Sequence, residues 1–117
     1  MMPTRPCVDQ SALDEVTGGD RDLEQRLFEY FVQVSGADAT ELGHAAALGQ
    51  REQVARAAHR LRGASSTLGA SDLAAACLHL EQSACDGDID AIASSVAEIE
   101  EQLRRVVDYI SKADDAH

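Results

Sequence analysis

The sequence predicts an all-α fold, an antiparallel up-down four-helix bundle with a short extra N-terminal helix. Three observations lead there. Both prolines, Pro3 and Pro6, precede residue 7, and the residues from there to 117 hold 20 alanines, so this stretch lacks the strongest helix breaker and is rich in the strongest helix former. Breaks at Gly18-Gly19-Asp20, Gly49-Gln50, Gly69-Ala70-Ser71 and Asp86-Gly87-Asp88 each place a helix-ending glycine beside a polar restart. Connections that short make consecutive helices antiparallel neighbours. Finally, 117 residues suffice for one core and not two, and a composition 44% hydrophobic and 26% charged is that of a globular domain rather than an acidic disordered tail.

In chain order, residues 1–8 are expected to form an N-terminal extension, 9–112 the bundle and 113–117 a frayed tail. The leader helix carries Leu13 and Val16. Residues 20–48 show Leu23, Leu27, Phe31 and Val34, then a polar stretch with Gly36, then Leu42, Ala45 and Leu48, which fits either one long bent helix or two shorter ones. The segment 51–68 has an inward stripe of Val54, Ala57, Ala58, Leu61, Ser65 and Leu68, and the next has Leu73, Ala76, Cys77, Leu80 and Ala84. Small residues dominate both stripes, which allows close helix approach. In the last segment Ile89, Ile92, Val96, Ile99, Leu103, Val106 and Ile110 alternate three- and four-residue steps, with Glu98, Glu101, Arg104 and Arg105 between them, the pattern of an amphipathic helix.

A net charge of −11 repels nucleic acid and anionic lipid, so neither is an expected partner. The charge is uneven: residues 1–49 sum to −6, 50–70 to +3, 71–87 to −3 and 88–117 to −5. A short basic island therefore sits in an acidic chain. The opening MMPTRPCVDQ offers no apolar signal-peptide core, and no run reaches the roughly 18 apolar residues of a membrane span, so the cytoplasm is the expected location. Cys7, Cys77 and Cys85 are odd in number. On one helix Cys77 and Cys85 would lie about 12 Å apart at ~1.5 Å per residue, beyond the roughly 7 Å a disulfide allows. Free thiols are expected, with Cys77 a small core hydrophobe.

The basic island contains His59, one position past core residue Ala58, so its ring falls at the edge of the apolar stripe and faces solvent. The positions sharing its face are Arg56 and Arg62, three residues either side, and Ala55 and Gly63, four away. A helical glycine costs about 0.5–1 kcal/mol relative to alanine, and clearance for something docking on His59 would account for Gly63, as would close helix packing. A neutral imidazole flanked by cations suits nucleophilic attack on a phosphoryl group, the arginines compensating its oxygens.

The run His59-Arg60-Leu61-Arg62-Gly63-Ala64-Ser65-Ser66-Thr67-Leu68-Gly69-Ala70 closely resembles the signature of the histidine-containing phosphotransfer (HPt) domain of two-component phosphorelays. The resemblance extends over roughly residues 9–110, through Asp14 and Gly18-Gly19-Asp20, the pattern of Leu73, Cys77, Leu80 and Glu81, and the Gly87-Asp88 turn. It implies that His59 is the phosphoacceptor, Arg62 the basic residue assisting the phosphoryl group and Gly63 the clearance residue. It also implies a place near the histidine for Glu81, which either holds the second ring nitrogen and fixes the tautomer or is simply a rim carboxylate. Arg56 and Arg60 either meet phosphate or partner or belong to a solvated face. The implied function is that of a phosphocarrier, taking phosphate from an aspartyl phosphate on a receiver domain and passing it to another response regulator, with a hybrid sensor histidine kinase upstream and the carrier a monomer. No cofactor of its own is implied, and Mg2+ is expected in the receiver. The sequence has no G-x-x-x-x-G-K-[ST] loop, no glycine-rich nucleotide lid and no room for an ATPase domain, so autophosphorylation from ATP is not expected.

Two other classes compete. A di-iron bundle needs a Glu-x-x-His on each of two helices; Glu41 and His44 supply one, but Ala76 precedes His79 and Arg56 precedes His59 at that spacing, so no metal site is expected. A helical scaffold binding a partner helix is compatible with the composition but leaves the grouping of Arg56, His59, Arg62 and Gly63 without a role. Ser65 and Ser66 are expected either to cap or to bond back to the preceding turn, and Gly69 to do no more than end its helix.

Overall fold

A computed structural model describes residues 7–115, with side chains as far as Ala113. The order is α1 (Gln10–Thr17), α2 (Arg21–Ala47), α3 (Arg51–Leu68), α4 (Ser71–Ser83) and α5 (Ile89–Asp115). Aspartates start three of them. Asp9 accepts from the N–H groups of Ser11 and Ala12, Asp20 from those of Asp22 and Leu23, and Asp88 from that of Ala91 at 2.7 Å, satisfying donors that the first turn leaves open. Helices α2, α3, α4 and α5 pack in a ring, each on the next and α5 back on α2, while α1 lies against α2 and α3. The short connections make successive members antiparallel, as the sequence predicts.

Residues 20–48 form one helix. Its buried face reads Phe28, Phe31, Ser35, Asp38, Leu42, Ala45, an unbroken alternation of three- and four-residue steps. The apparent polar interruption arises because Ser35 and Asp38 occupy two stripe positions. Leu23 and Leu48, read as inward from hydrophobicity, are exposed, as is Ile89; Leu48 and Ile89 stand at helix ends, where the stripe has nothing left to face.

The edges of the bundle also differ from expectation. Val8 is fully buried in the core and Cys7 packs against it, its thiol donating to the Arg105 carbonyl at 3.4 Å, so these two residues of the expected extension belong to the bundle; residues 1–6 lie outside the described residues. At the other end α5 continues to Asp115 with Ala113 against the core, because no glycine or proline interrupts residues 89–115. Residues 116–117 lie outside the described residues.

Gly69 does more than end α3. With φ at +81° it closes the helix as the N–H of Ala70 reaches back to the Ser65 carbonyl at 2.8 Å and its own N–H to that of Ser66 at 3.1 Å, a left-handed cap. Its carbonyl also accepts from the N–H of Asp9 at 2.8 Å, and a Cβ placed on it would stand 2.9 Å from the Asp9 carbonyl oxygen. The lead into α1 thus crosses the α3–α4 turn at backbone contact. Gly49 shares the left-handed conformation, φ +67°, but a Cβ there would meet nothing within 4 Å. Both Gly→Ala variants should therefore lose the about 1–2 kcal/mol of a left-handed L-residue, and Gly69→Ala should lose measurably more because the crossing must also open. Urea denaturation of the two variants checks this; equal losses would mean the crossing yields without cost.

Candidate functional site

The site is assembled where α3 faces α4. On α3 the residues Ala57, Ala58, Leu61 and Ser65 are completely buried, as are Leu73, Cys77 and Leu80 on α4. This leaves His59 and Arg62 at the rim of one helix and Glu81, one position past buried Leu80, at the rim of the other. The His59 side chain is 62% exposed and that of Glu81 25%.

Glu81 grips both α3 residues. One carboxylate oxygen, Oε1, lies 2.8 Å from His59 Nδ1, and the other, Oε2, accepts from Arg62 Nε at 2.9 Å. Arg62 Nη2 also stands 3.1 Å from Nδ1, and the two neighbours ask for opposite tautomers. Burial pushes the Glu81 carboxyl up, but hydrogen bonds from His59 and Arg62 and the charge of Arg62 outweigh it and leave the group below its ordinary value. Glu81 is therefore an anion at neutral pH, and the favourable assignment puts the proton on Nδ1, donated to Glu81. Arg62 then bonds Glu81 and lies beside the ring without donating to it. Nε2 is left with its lone pair, free of hydrogen bonds among the described residues, on the exposed side of the ring.

The remaining predicted residues separate into two groups. Gly63 is part of the arrangement: a Cβ on it would meet nothing within 4 Å, so close helix packing does not explain this glycine, and open surface one turn from His59 does. Arg56 lines the shallow depression around the ring with Ala55, Arg60 and Glu81, and its own partner is Glu52 at 3.9 Å, an exposed pair of the kind that contributes little. Arg60 turns away. Its Nε donates to Asp38 Oδ1 at 3.2 Å and its Nη2 to Glu41, so it joins α3 to α2 rather than to the imidazole. Leu13, read as part of a docking face with Val16, is fully buried; Val16 is exposed. Ser65 bonds back to the Leu61 carbonyl at 2.7 Å, as expected. All three cysteines are free, and burial pushes the Cys77 thiol up to about 12, with Arg62 lowering it and Glu81 raising it, so it stays neutral beneath the site. Among the described residues, no group of three or more His, Cys, Asp or Glu side chains could hold a metal ion, and no helix is long and apolar enough to cross a membrane.

Two residues with structural parts in this end of the molecule escape a sequence reading. Asp38 fills a buried stripe position, and its register with Phe31 and Leu42 was the available signal. Arg51 donates to the carbonyls of Ala84 and Gly87, satisfying acceptors at the end of α4; nothing in the local pattern points to a contact 33 residues away.

A four-helix ring that presents one imidazole, backed by an anion and open on its far nitrogen, defines a carrier class of bundle, and the comparisons with known proteins agree. The Hpt domain family matches residues 26–109, and the chain belongs to that family: it is a histidine phosphotransfer domain of the phosphorelay type, a class of phosphocarriers rather than kinases that works with response regulators and kinases. Histidine-containing phosphotransfer protein B from Pseudomonas aeruginosa PAO1 is similar in structure, with a TM-score of 0.88 and 24% identity over 97% of this chain and 99% of that one. Among curated protein sequences none matches significantly.

The Glu81 contacts carry a pH signature. Because the carboxyl is held below its ordinary value of 4.5, they contribute stability that is fully present above that value and lost as pH falls through the lowered one. Glu81→Gln should therefore be less stable than wild type at pH 7, by about 0.5–1.5 kcal/mol, and the gap should close in strong acid. Urea titrations at several pH values measure it; a gap that does not change with pH would show that the carboxylate charge is not what the two partners hold.

Proposed function

We propose that His59 accepts a phosphoryl group from the aspartyl phosphate of a receiver domain and hands it to a second response regulator. The observation that carries this reading is the division of labour on the ring: Nδ1 is taken by Glu81 at 2.8 Å, while Nε2 has no hydrogen bond among the described residues on a side chain that is 62% exposed. Attack by Nε2 forms the N–P bond as the acyl phosphate P–O bond breaks and its electrons leave on the receiver's carboxylate. Nδ1 keeps its proton throughout. The phosphorylated ring is then an imidazolium, and the Glu81 anion stabilises that positive charge, so the carrier needs no separate base. The same contacts operate in reverse when phosphate leaves for the second receiver.

Arg62 stands on the Nδ1 side in the unphosphorylated chain. It reaches phosphoryl oxygens only by rotating its side chain off Glu81 toward Nε2, where its charge compensates theirs. Gly63 and the open surface around it leave room for the receiver to approach within bonding distance of Nε2. Mg2+ is expected in the receiver's acidic pocket, a hybrid sensor histidine kinase is the expected upstream donor, and the chain acts as a cytoplasmic monomer without ATP chemistry of its own.

The test is incubation with a phosphorylated receiver domain. The transferred label should be acid-labile and base-stable, as a phosphoramidate is, and His59→Gln should abolish it with helical circular dichroism and melting close to wild type, since an exposed substitution typically changes stability by about 0.5 kcal/mol or less. Labelling at His44 or His79 would overturn the assignment. Gly63→Gln should fold as well as wild type and transfer slowly, because the added side chain enters the approach path; wild-type rates would sink the clearance argument.

Reversing Arg62 to Glu should slow transfer far more than reversing Arg104 on α5, whose partners are Glu101 and Asp108. Stopped-flow rates against salt separate the two effects. Screening, with a Debye length of about 8 Å at physiological ionic strength, should remove any loss due to long-range steering, and the residual defect in Arg62→Glu measures its local part. Equal defects at both positions would show that net charge alone governs the reaction.

A further inference from the structure

Glu81 stands in the last turn of α4, three residues before the cap at Ala84. The place is a poor one for holding a partner. Terminal turns fray because their carbonyls lack helical donors, and a carboxylate there meets the negative end of the helix dipole. No basic residue in the last turn of α4 offsets either effect.

The missing cation comes from α3. Arg51 is the first residue of that helix, where a positive charge opposes its own helix dipole, and its guanidinium crosses to the end of α4 instead. Nη1 donates to the Ala84 carbonyl at 3.0 Å and also to that of Gly87. Other carbonyls at this end are already occupied: that of Leu80 accepts from the N–H of Ala84 at 2.8 Å, and that of Ser83 from the N–H of Gly87. Ala84 is completely buried, so without Arg51 its carbonyl would be an acceptor cut off from water. Arg51 lies about 12 Å along α3 from His59 at ~1.5 Å per residue, and therefore acts on the imidazole only through α4.

We propose that Arg51 is a positioning residue: by tying the end of α4 to the start of α3 it holds Glu81 on Nδ1 of His59 and so keeps Nε2 unprotonated. Without the tie, the last turn of α4 shifts to bring the Ala84 carbonyl to water and Glu81 withdraws from its 2.8 Å contact. The ring proton is then no longer confined to Nδ1. An imidazole protonated on Nε2 has no lone pair there with which to attack phosphorus. The consequence for transfer rests on the phosphocarrier reading above, whereas the effect on the ring does not.

The test reads the ring directly. In isotope-labelled protein, nitrogen NMR of His59, assigned by the signals absent from His59→Gln, reports which ring nitrogen carries the proton when the imidazole is neutral. Wild type should show Nδ1–H, and Arg51→Met should move the population toward Nε2–H, as Glu81→Ala does. Arg51 is half-buried at a helix start, so its variants fold. Arg51→Lys, whose ammonium can donate to both carbonyls, should keep the wild-type form. Ile110→Ala, a core cavity late in α5, should lose stability in urea without changing the tautomer, which separates positioning from a general loss of stability. With a receiver that labels His59, Arg51→Met should transfer roughly two- to tenfold more slowly, the scale of one hydrogen bond, and adding it to Glu81→Ala should slow transfer no further. A wild-type ring signal in Arg51→Met, the same shift in Ile110→Ala, or rate losses that multiply in the double variant overturns the proposal and leaves phosphotransfer to His59 standing. Failure of every receiver to label His59 removes the phosphocarrier reading, and the nitrogen spectra still decide whether Arg51 places Glu81.

Discussion

Everything at the site depends on how closely α3 and α4 approach. The facing stripes are built from small or slender side chains, among them Ala57, Ala58 and Ser65 on α3 and Cys77 on α4, all completely buried. A seam of this kind brings helix axes toward the short end of their usual separation, so that a glutamate on one helix can reach a histidine on the other at 2.8 Å. Bulkier residues would part the helices and leave Glu81 in water. The polar members of the seam do not spoil it: the Ser65 hydroxyl is satisfied by its own helix, and the Cys77 thiol stays protonated. Among the described residues, the charges near the imidazole are those on the rim.

The basic island shows how three-dimensional structure disperses charges that look like a single positive patch in the sequence. Of its four arginines, Arg51 closes the end of α4, Arg60 is held by two carboxylates of α2, and Arg62 is tied to Glu81. Arg56 alone has just a distant, exposed partner. The field that an approaching receiver meets is therefore not a broad positive face. Beside the imidazole Arg62 is matched by Glu81 and Arg56 by Glu52, while on the α2 side of α3 Asp38 and Glu41 share the single charge of Arg60.

The helix count, the breaks and the inward faces of α3, α4 and α5 were legible because apolar and small residues there follow the helical period almost without exception. His59, Arg62 and Gly63 were legible as a group because spacing alone puts them on one face of one helix. What the sequence hid were the places where a polar residue fills an apolar position, or where a contact spans the chain. Ser35 and Asp38 made one helix look like two. Leu23 and Leu48 looked internal because hydrophobicity was read without the register that buried Phe28 and Asp38 define. Gly69 looked like a simple helix end because its second neighbour, Asp9, lies 60 residues earlier, and the orientation of Arg60 depended on where α2 would lie.

The contacts of the first described residues have a topological consequence. Cys7 bonds the Arg105 carbonyl, and the Tyr109 hydroxyl donates to Gln10 at 2.5 Å, so the lead into α1 is fastened to the late turns of α5 and the backbone is nearly a closed loop. The segment carrying the site, α3 through α4, sits in the middle of that loop, interrupted as helix only by the tight turn at Gly69 and Ala70. A circularly permuted bundle, with the lead into α1 joined by a linker to the late turns of α5 and opened at the exposed turn around Gly49, would keep α3 and α4 consecutive and retain each contact around the imidazole. Chain order, in this architecture, is separable from the chemistry it delivers.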